Sequence, residues 1–313
     1  MIGKTLVRKP YVTTMWEKNP MLWKWLIDCG ILLKYKTLNV DKLPNKIVLE
    51  SSLILYVDPD ENRGRALLIC NGVTQKRLNS FWSMAVEWVN PDVVIDVGVN
   101  YGECLFSVSY PAHAKIYGIE ANHRLLPYIE QSRNTHPNQT QITIVNAFAS
   151  EQNNVLKEFF VDKHWSGTSS ASYMPSHNMI EKVSVPSITI DSLVREVPIH
   201  EKVLFKVDVE GYEAFVLKGM KKLLSSCDTA LGFVEFNSEY ITKAGISANE
   251  FLDDLQTHFT ICFYNADDVL VKGHQLNLEG LQSVFGTSSV HTDLVLVKNQ
   301  VLMDALEFQM TIQ

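Results

Sequence analysis

The sequence predicts an α/β fold in which a mostly parallel β-sheet carries helices on both faces. Short apolar runs rich in β-branched residues recur between glycine, proline and polar segments, which is the pattern of strands buried on both faces of a parallel sheet. Segments with apolar residues at helical spacing lie between them. The run Val93–Val97 leads directly into a glycine turn, and the run Val203–Val207 leads directly into an aspartate. Open α/β sheets bind their ligands at such strand ends.

Length and composition fit one such domain with an extension. The chain has 313 residues, and 46% of them are hydrophobic, which is ample for a core. We expect an N-terminal extension over residues 1–90, made of a helix, a β-hairpin and a lead-in helix. A main domain over residues 91–300 and a C-terminal tail over residues 301–313 would follow.

Charge and cysteine usage argue against several classes of protein. A net charge of −7 offers no general electrostatic footprint for nucleic acid. Five widely spaced cysteines without a C-x-x-C pair indicate reduced thiols. The start lacks the apolar region of a signal peptide, and Met21–Leu33 is too short and too charged to span a bilayer. We therefore expect a cytoplasmic protein without a transmembrane segment.

The extension contains an aromatic helix and a predicted hairpin. Tryptophans at positions 16, 23 and 25 could form a surface for a partner or a membrane interface, but packing of this helix on the main domain is favoured. Strands over Ile47–Val57 and Ala66–Cys70 are predicted to flank the long turn D-P-D-E-N-R-G. Leu78–Val89 then has the spacing of a helix.

The glycine turn after the first main strand has the pattern D-x-G-x-N-x-G, formed by Asp96, Gly98, Asn100 and Gly102. A dinucleotide fingerprint has its second glycine where this chain has Asn100, so the pattern disfavours NAD or FAD. It suits a smaller ligand with an amino-acid portion, such as S-adenosylmethionine. A helix over Glu103–Tyr110 would follow, and a purely structural turn is the alternative.

A second predicted strand, Lys115–Asn122, ends with Glu120. An acid in this place accepts hydrogen bonds from the ribose hydroxyls of a nucleotide-type ligand. The alternative is that Glu120 only caps the helix predicted over residues 122–133. A third strand over Gln141–Ser150 would bring Asn146 and Ala147 to the adenine edge, although a structural turn is also compatible with those two residues.

Two further β segments, Val155–Val161 and Val183–Ile190, flank the small-residue loop Trp165–Ser172. This loop is either a wall on the acceptor side of the site or a solvated connection. Near the end of the chain, Ser247–Phe259 is predicted to be a helix with a capping box. The last two strands are predicted over residues 259–265 and 292–298.

The most acidic part of the predicted site follows the fourth strand. Asp208, Glu210 and Glu213 come directly after it, and a fifth strand predicted over Ala230–Asn237 carries Glu235 and Asn237 to the same rim. Such a cluster repels itself unless it faces a cation, a metal or a proton to be removed. The alternative is that the glutamates only favour a helix N-terminus through its dipole.

The chain resembles the FkbM family of S-adenosylmethionine-dependent methyltransferases. The resemblance covers residues 92–237 and rests on five segments in order, which are D-V-G-V-N-Y-G, I-E-A-N, T-I-D-S-L, F-K-V-D-V-E-G-Y-E-x-x-V-L-K-G and V-E-F-N. It implies a class I methyltransferase fold, Rossmann-like, with a seven-stranded sheet that contains one antiparallel strand, and methyl transfer to hydroxyl oxygens. Val99 replaces the alanine usual before Asn100, and the first ninety residues are not covered.

The resemblance also implies roles for individual residues. The methionine moiety would contact Asp96, Gly98, Asn100 and Gly102. The ribose would contact Glu120, beside Asn122, and the adenine would contact Asn146 and Ala147. Asp208 would lie beside the sulfonium. Because a sugar hydroxyl is a poor nucleophile, a base or a metal must take its proton. Glu210 is the first choice for the base, Glu213 the second and His164 the third. Asp208, Glu235 and Asn237 could instead hold Mg²⁺, but structural hydrogen bonding explains the same residues and a metal is not favoured.

These expectations describe an O-methyltransferase that acts on a sugar hydroxyl of a glycan or on a secondary metabolite, and they are compatible with a homo-oligomer. One alternative is a noncatalytic S-adenosylmethionine-binding subunit of a partner, which would have the Glu210 region sealed from solvent. A methyltransferase for another acceptor class is a second alternative. Nucleic-acid amino-methyltransferases are disfavoured, because D-V-E-G stands where they carry [D/N]-P-P-[Y/F].

Overall fold

The computed structural model describes residues 19–163, 165–171, 180–194, 201–265, 267, 269–304 and 306. In this part of the chain the strands are β1 (Lys46–Val48), β2 (Ile54–Tyr56), β3 (Val93–Val97), β4 (Lys115–Glu120), β5 (Ile142–Asn146), β6 (Phe148–Ala149), β7 (Leu156–Asp162), β8 (Ile180–Ile188), β9 (Lys202–Val207), β10 (Thr229–Asn237), β11 (Thr260–Tyr264), β12 (Leu270–Lys272) and β13 (His291–Lys298).

The helices alternate with these strands through most of the chain. They are α1 (Pro20–Tyr35), α2 (Asn62–Ile69), α3 (Lys76–Val89), α4 (Leu126–Thr135), α5 (Ile190–Leu193), α6 (Glu213–Lys218), α7 (Lys221–Ser226), α8 (Ser238–Lys243), α9 (Ala248–Gln256) and α10 (Leu278–Phe285). Short 3₁₀ turns lie at Val40–Lys42 and Ser166–Thr168.

The main sheet has the order β12-β11-β13-β10-β9-β3-β4-β5. Strands β5, β4, β3, β9 and β10 pair in parallel, and β13 runs antiparallel to both β10 and β11. This is a class I methyltransferase fold, as predicted. The sheet has eight strands where seven were expected, because the short strand β12 pairs with β11 at the edge. The chain order reverses between β3 and β9, which creates the crevice where ligands bind in such sheets.

Both faces of the sheet are covered by apolar layers. Val94 points into a core that it shares with Phe81 and Trp82 of α3. Its neighbour Ile95 points the other way, into a second core that contains Val216 of α6. Since side chains alternate along a strand, the continuous apolar run of β3 fills both layers at once.

The hairpin predicted across D-P-D-E-N-R-G was wrong, because Ala66–Cys70, its predicted second strand, belongs to helix α2 and the residue after it. A shorter hairpin lies within residues 46–56 instead, where β1 pairs with β2 across a five-residue turn. The carboxylate of Glu61 accepts hydrogen bonds from the backbone N–H groups of Arg63 and Gly64 at 3.0 and 2.9 Å. These bonds satisfy two of the donors that a helix leaves free at its start.

The helix predicted over Glu103–Tyr110 is replaced by turns. The carboxylate of Glu103 accepts hydrogen bonds from the backbone N–H groups of Thr74 and Gln75 at 2.6 and 2.7 Å, and it pairs with Arg63 at 2.7 Å. This segment therefore fastens the N-terminal extension to the glycine turn. Among the described residues, no helix has the length and apolar character needed to cross a membrane.

Candidate active site

The glycine turn after β3 approaches the end of β9 closely. Gly98, Asn100 and Gly102 all have positive φ angles, of 79°, 52° and 82°. A Cβ atom on Gly98 would lie 1.9 Å from the backbone oxygen of Asp208, so only glycine fits there. The turn therefore presents backbone, rather than side chains, at the crevice between the two strands.

Glu120 is fixed at the end of β4. Its Oε2 accepts a hydrogen bond from the backbone N–H of Asn100 at 2.7 Å, and its Oε1 accepts one from that of Asn122 at 2.7 Å. Burial raises the pKa of Glu120, while these two hydrogen bonds act to lower it. Each carboxylate oxygen accepts one of these hydrogen bonds and has a further lone pair. The side chain is therefore held in place and can still accept a hydrogen bond from a ligand.

Asn122 and Asn146 organise the neighbouring backbone. The side chain of Asn122 accepts a hydrogen bond from the backbone N–H of Arg124 at 3.1 Å. The side-chain amide of Asn146 donates to the backbone oxygens of Glu120 and Ala121 at 2.8 and 3.2 Å. These two side chains join β4 to β5 and to the start of the following helical segment.

A buried lysine that the sequence analysis did not single out lies beneath the site. The ammonium of Lys206 is 3.1 Å from Asp96 and 3.7 Å from Asp208, and it donates to the backbone oxygen of Gly98 at 3.0 Å. Burial would lower the pKa of Lys206, but the charges of Asp96 and Asp208 outweigh burial and raise it. The fully buried Asp96 has a pKa raised by burial, which Lys206 opposes. Asp96 is therefore the partner of Lys206.

The turn after β9 carries three carboxylates with different surroundings. Burial raises the pKa of Asp208 to about 7, and the charge of Glu235 adds to the effect, while Lys206 opposes it. Glu210 has a positive φ of 55°, and its backbone oxygen accepts a hydrogen bond from Ser170 at 3.0 Å. That strained turn holds Glu210 at the rim of the crevice.

Glu213 supports this turn from below. Its Oε1 accepts hydrogen bonds from the backbone N–H groups of Val209 and Gly211, which flank Glu210, at 3.0 and 3.1 Å. Its Oε2 is buried and has no hydrogen-bond partner among the described residues. Burial and then the charge of Glu235 raise the pKa of Glu213 to about 8.

Glu235 brings a further carboxylate to the same rim from β10. Its Oε1 lies 2.8 Å from Nε2 of His291, and Asp208, Glu210 and Glu235 each offer an oxygen within 4.8 Å of the others. Asn237, which was predicted as a possible metal ligand, caps a helix instead. Its side chain accepts hydrogen bonds from the first backbone N–H groups of α8 and caps that helix.

A cavity of about 380 Å³ opens at these strand ends, which is within the usual range for ligand pockets. Six of the predicted site residues line it, namely Gly98, Asn100, Glu120, Ala147, Asp208 and Glu210. The remaining predicted residues do not line it, namely Asp96, Gly102, Asn122, Asn146 and Glu213. His164 lies outside the described residues.

The opposite wall of the cavity comes from the N-terminal extension and from the loop after β7. Trp23 and Ile27 of α1 line it, together with Arg63 of α2. Trp165 packs edge-on against Trp23 with ring centroids 5.4 Å apart, and the guanidinium of Arg63 lies 5.8 Å from the Trp165 ring. The loop was predicted as a possible acceptor wall, whereas no site residue was predicted in the extension.

Glu61 connects these parts of the wall. Its carboxylate accepts hydrogen bonds from the backbone N–H of Ser166 at 2.9 Å and from the hydroxyl of Tyr101 at 3.0 Å, in addition to those at the start of α2. Burial raises the pKa of Glu61, and its hydrogen bonds act to lower it. One half-buried side chain thus holds the extension, the glycine turn and the loop after β7 together.

Comparisons with solved structures give likenesses that are weak in sequence. A methyltransferase FkbM from Methylobacillus flagellatus KT is 14% identical, with a TM-score of 0.39, and the match covers 66% of this chain and 44% of that one. The O-methyltransferase TomG from Streptomyces achromogenes, solved with S-adenosylmethionine, is 8% identical, with a TM-score of 0.41 and coverage of 77% and 88%. An O-methyltransferase from Bacillus cereus, solved with S-adenosylhomocysteine, is 7% identical, with a TM-score of 0.38 and coverage of 72% and 82%.

No curated protein matches the sequence. The model of the methyltransferase FkbM domain, by contrast, matches residues 96–259, which is just over half of the chain. The matched segment begins at Asp96 and includes every described carboxylate of the crevice, from Glu120 through Asp208 and Glu210 to Glu235. The chain therefore belongs to the FkbM methyltransferase family.

Proposed function

We propose that this protein is an S-adenosylmethionine-dependent O-methyltransferase. The observation that carries the proposal is the cavity at the reversal of strand order, which has Glu120 at one end and the Asp208–Glu210 turn at the other. Within an FkbM family chain, these features supply a place for a nucleoside and a place for a proton acceptor side by side.

The residues present fit the proposed cofactor. Glu120 would accept hydrogen bonds from the ribose hydroxyls, because backbone N–H groups already fix both of its oxygens. Ala147 would lie beside the adenine, and the backbone at Gly98 and Asn100 would hold the methionine portion. Asp96 would act through Lys206 and not by direct contact, since it is fully buried. When bound, S-adenosylmethionine would supply a methyl group on a sulfonium. The acceptor oxygen would bond to that methyl carbon in line as the carbon–sulfur bond breaks, and the sulfur would leave as the neutral thioether of S-adenosylhomocysteine.

Glu210 is the proposed base for the acceptor hydroxyl. It lines the cavity, and the turn that carries it is held by Glu213 and Ser170. The structure changes the second choice from Glu213 to Asp208, because Glu213 is committed to the backbone of the turn and does not line the cavity. A pKa of about 7 also suits Asp208 to proton transfer near neutral pH.

Correct placement of the acceptor oxygen would supply the part of the rate enhancement that the base does not. A hydroxyl held in line with the methyl group, at roughly 3 Å, gains from proximity alone. The extension closes the cavity opposite the base, so α1, α2 and the loop after β7 would orient the acceptor and exclude water. Ser166, Ser169 and Gln75 line this side together with the ring of Trp165. A mixture of hydroxyl, amide and aromatic surface suits a sugar or a polyhydroxylated metabolite.

Mg²⁺ remains a less favoured addition. Oxygen ligands within 4.8 Å of one another fit a divalent cation, but the set is Asp208, Glu210 and Glu235 and does not include the predicted Asn237. His291 offers Glu235 an alternative partner at 2.8 Å.

Calorimetric titration with S-adenosylmethionine and, separately, with NAD tests the proposal. We expect S-adenosylmethionine to bind and NAD not to bind. Glu120→Ala should weaken S-adenosylmethionine binding by about 1–3 kcal/mol, because it removes a buried charged acceptor. Glu239→Gln, at an exposed glutamate of α8, is the matched control and should bind as the wild type does. Binding of NAD in place of S-adenosylmethionine would overturn the proposal.

Turnover distinguishes an enzyme from a noncatalytic subunit. A noncatalytic subunit was expected to have the Glu210 region sealed from solvent. Glu210 lines the open cavity instead, which disfavours that alternative. A screen of sugars and hydroxylated metabolites, followed by detection of S-adenosylhomocysteine, should find at least one acceptor. Binding without product for any hydroxyl acceptor would favour the subunit instead.

A further inference from the structure

Helix α1 has a second apolar face that points away from the cavity. Large side chains recur on it at spacings of four and seven residues, which places them on one side of a helix. They are exposed by 39–77% and are Met21, Leu22, Trp25, Leu26, Leu32 and Leu33. Isolated apolar side chains on a surface are ordinary, but a contiguous stripe of six marks an interaction surface.

The inward side of α1 is already occupied. Ile27 and Ile31 are buried in the core, and Trp23 packs against Trp165 at the wall of the cavity. Arg65 of α2 pairs with Asp28 at 2.6 Å, which fixes the rotation of α1 about its axis. The exposed stripe cannot turn inward without breaking these contacts.

The charge of the first 46 residues has the opposite sign to that of the rest of the chain. Residues 1–46 contain nine lysines and arginines and three acidic residues, which gives this segment a net charge of +6. The remaining residues have a net charge of −13, so the whole chain has a net charge of −7. Five of the lysines lie in the described part of this segment and all are exposed, namely Lys24, Lys34, Lys36, Lys42 and Lys46. The helix that carries the apolar stripe thus belongs to a segment of positive net charge.

We propose that the exposed face of α1 docks on an anionic membrane surface. A helix with tryptophan, leucine and methionine on one side, within a segment of positive net charge, is the kind that lies in the plane of an anionic lipid interface. At about 24 Å, by a rise of ~1.5 Å per residue, α1 is too short to cross the bilayer. A second copy of the chain fits the face less well, because a symmetric contact would set two basic segments against each other.

Docking would place the cavity beside the lipid. Trp23 and Ile27 line the cavity from the inner side of α1, while Trp25 and Leu33 face outward, so one helix separates the two environments. An acceptor with an apolar anchor would reach the cavity without leaving the interface. The docking proposal does not depend on which group the protein methylates.

Vesicle sedimentation of the full-length protein tests the proposal. The probes are vesicles of equal parts phosphatidylcholine and phosphatidylglycerol, and vesicles of phosphatidylcholine alone. We expect the wild type to bind the anionic vesicles, to bind neutral ones much less, and to be released by salt. The variant Trp25→Glu/Leu33→Glu should lose at least about tenfold in binding to anionic vesicles. Leu156→Glu, at a residue that is 70% exposed on β7, is the matched control and should bind normally.

Three results would overturn the proposal. The first is failure of the wild type to bind anionic vesicles. The second is equal binding by the double variant, with thermal unfolding confirming that all variants are folded. The third comes from light scattering after size-exclusion chromatography. A wild-type dimer that Trp25→Glu/Leu33→Glu converts to a monomer would assign the face to a second copy of the chain.

Discussion

Replacing Lys206 with methionine removes the one cation that lies between Asp96 and Asp208 in the described structure. The side chains of Lys206 and Asp96 are 5% and 0% exposed, so water cannot compensate the carboxylate that remains. Breaking a buried ion pair by removing one partner costs about 3–5 kcal/mol. Asp208 suffers less, because its side chain is 26% exposed and its pKa of about 7 lets it take up a proton. We therefore expect Lys206→Met to lower the free energy of unfolding by an amount in that range.

A double-mutant cycle in urea separates the ion pair from general damage to the core. Asp96→Val alone should also be strongly destabilising, because it leaves Lys206 without its nearest carboxylate. The double variant Lys206→Met/Asp96→Val removes both charges together, so it should recover at least about 2 kcal/mol relative to the sum of the single effects. Lys221→Met, at an exposed lysine, is the control and should change stability by less than about 0.5 kcal/mol. Additivity of the two single effects would refute the assignment of Asp96 as the partner of Lys206.

Three further outcomes are expected. Glu213→Gln should reduce the pH dependence of the free energy of unfolding. In the folded state the Glu213 carboxyl has a pKa of about 8, whereas in the unfolded state its pKa is ~4.3, so between these values only the folded state keeps the proton. The free energy of unfolding of the wild type should therefore fall from about pH 4 to pH 8 more steeply than that of the variant. Parallel denaturation curves against pH would contradict this. Glu210→Gln should lower kcat by about 10²- to 10⁴-fold and leave the Kd for S-adenosylmethionine unchanged, whereas intact turnover would place the base elsewhere. EDTA should not abolish turnover, since Glu210 or Asp208 can take the proton, and a loss that Mg²⁺ restores would instead make Asp208, Glu210 and Glu235 metal ligands.

The strand ends that form the cavity were predictable from the sequence. Strands β3, β4, β9 and β10 are largely apolar runs with clear limits, and each lies within two residues of its predicted bounds. In a parallel sheet the carboxyl ends of such strands must meet at one edge, so the approach of Glu120 to the carboxylates of β9 and β10 followed from the fold alone.

The partner of Asp96 was harder to identify, because the contact joins residues 110 positions apart. The sequence showed that a buried aspartate needs a partner, and Lys206 interrupts the other apolar run in the same way. The parallel register of β3 and β9 places Asp96 directly opposite Lys206. Two opposite charges within two neighbouring buried strands were thus a usable signal, although the register could not be read from the sequence.

The contribution of the extension was missed for a different reason. The segment D-P-D-E-N-R-G has the composition of a turn, and its role as the start of α2 depends on Glu61 capping that helix. Glu61 also accepts a hydrogen bond from Ser166, which is 105 residues away. Spacing patterns describe local structure, and a contact of that separation leaves no periodic trace in the sequence.

The two walls of the cavity come from parts of the chain that are separate in sequence. Residues at the ends of β3, β4 and β9 face the proposed cofactor, whereas Trp23 and Arg63 belong to the first ninety residues. Substitutions in the extension can reshape the acceptor side while the glycine turn and Glu120 stay as they are. Under the proposed assignment, the methylated molecule could change in evolution without changes to the part that holds the methyl donor. Glu61, which bonds to both parts, would have to stay compatible with each.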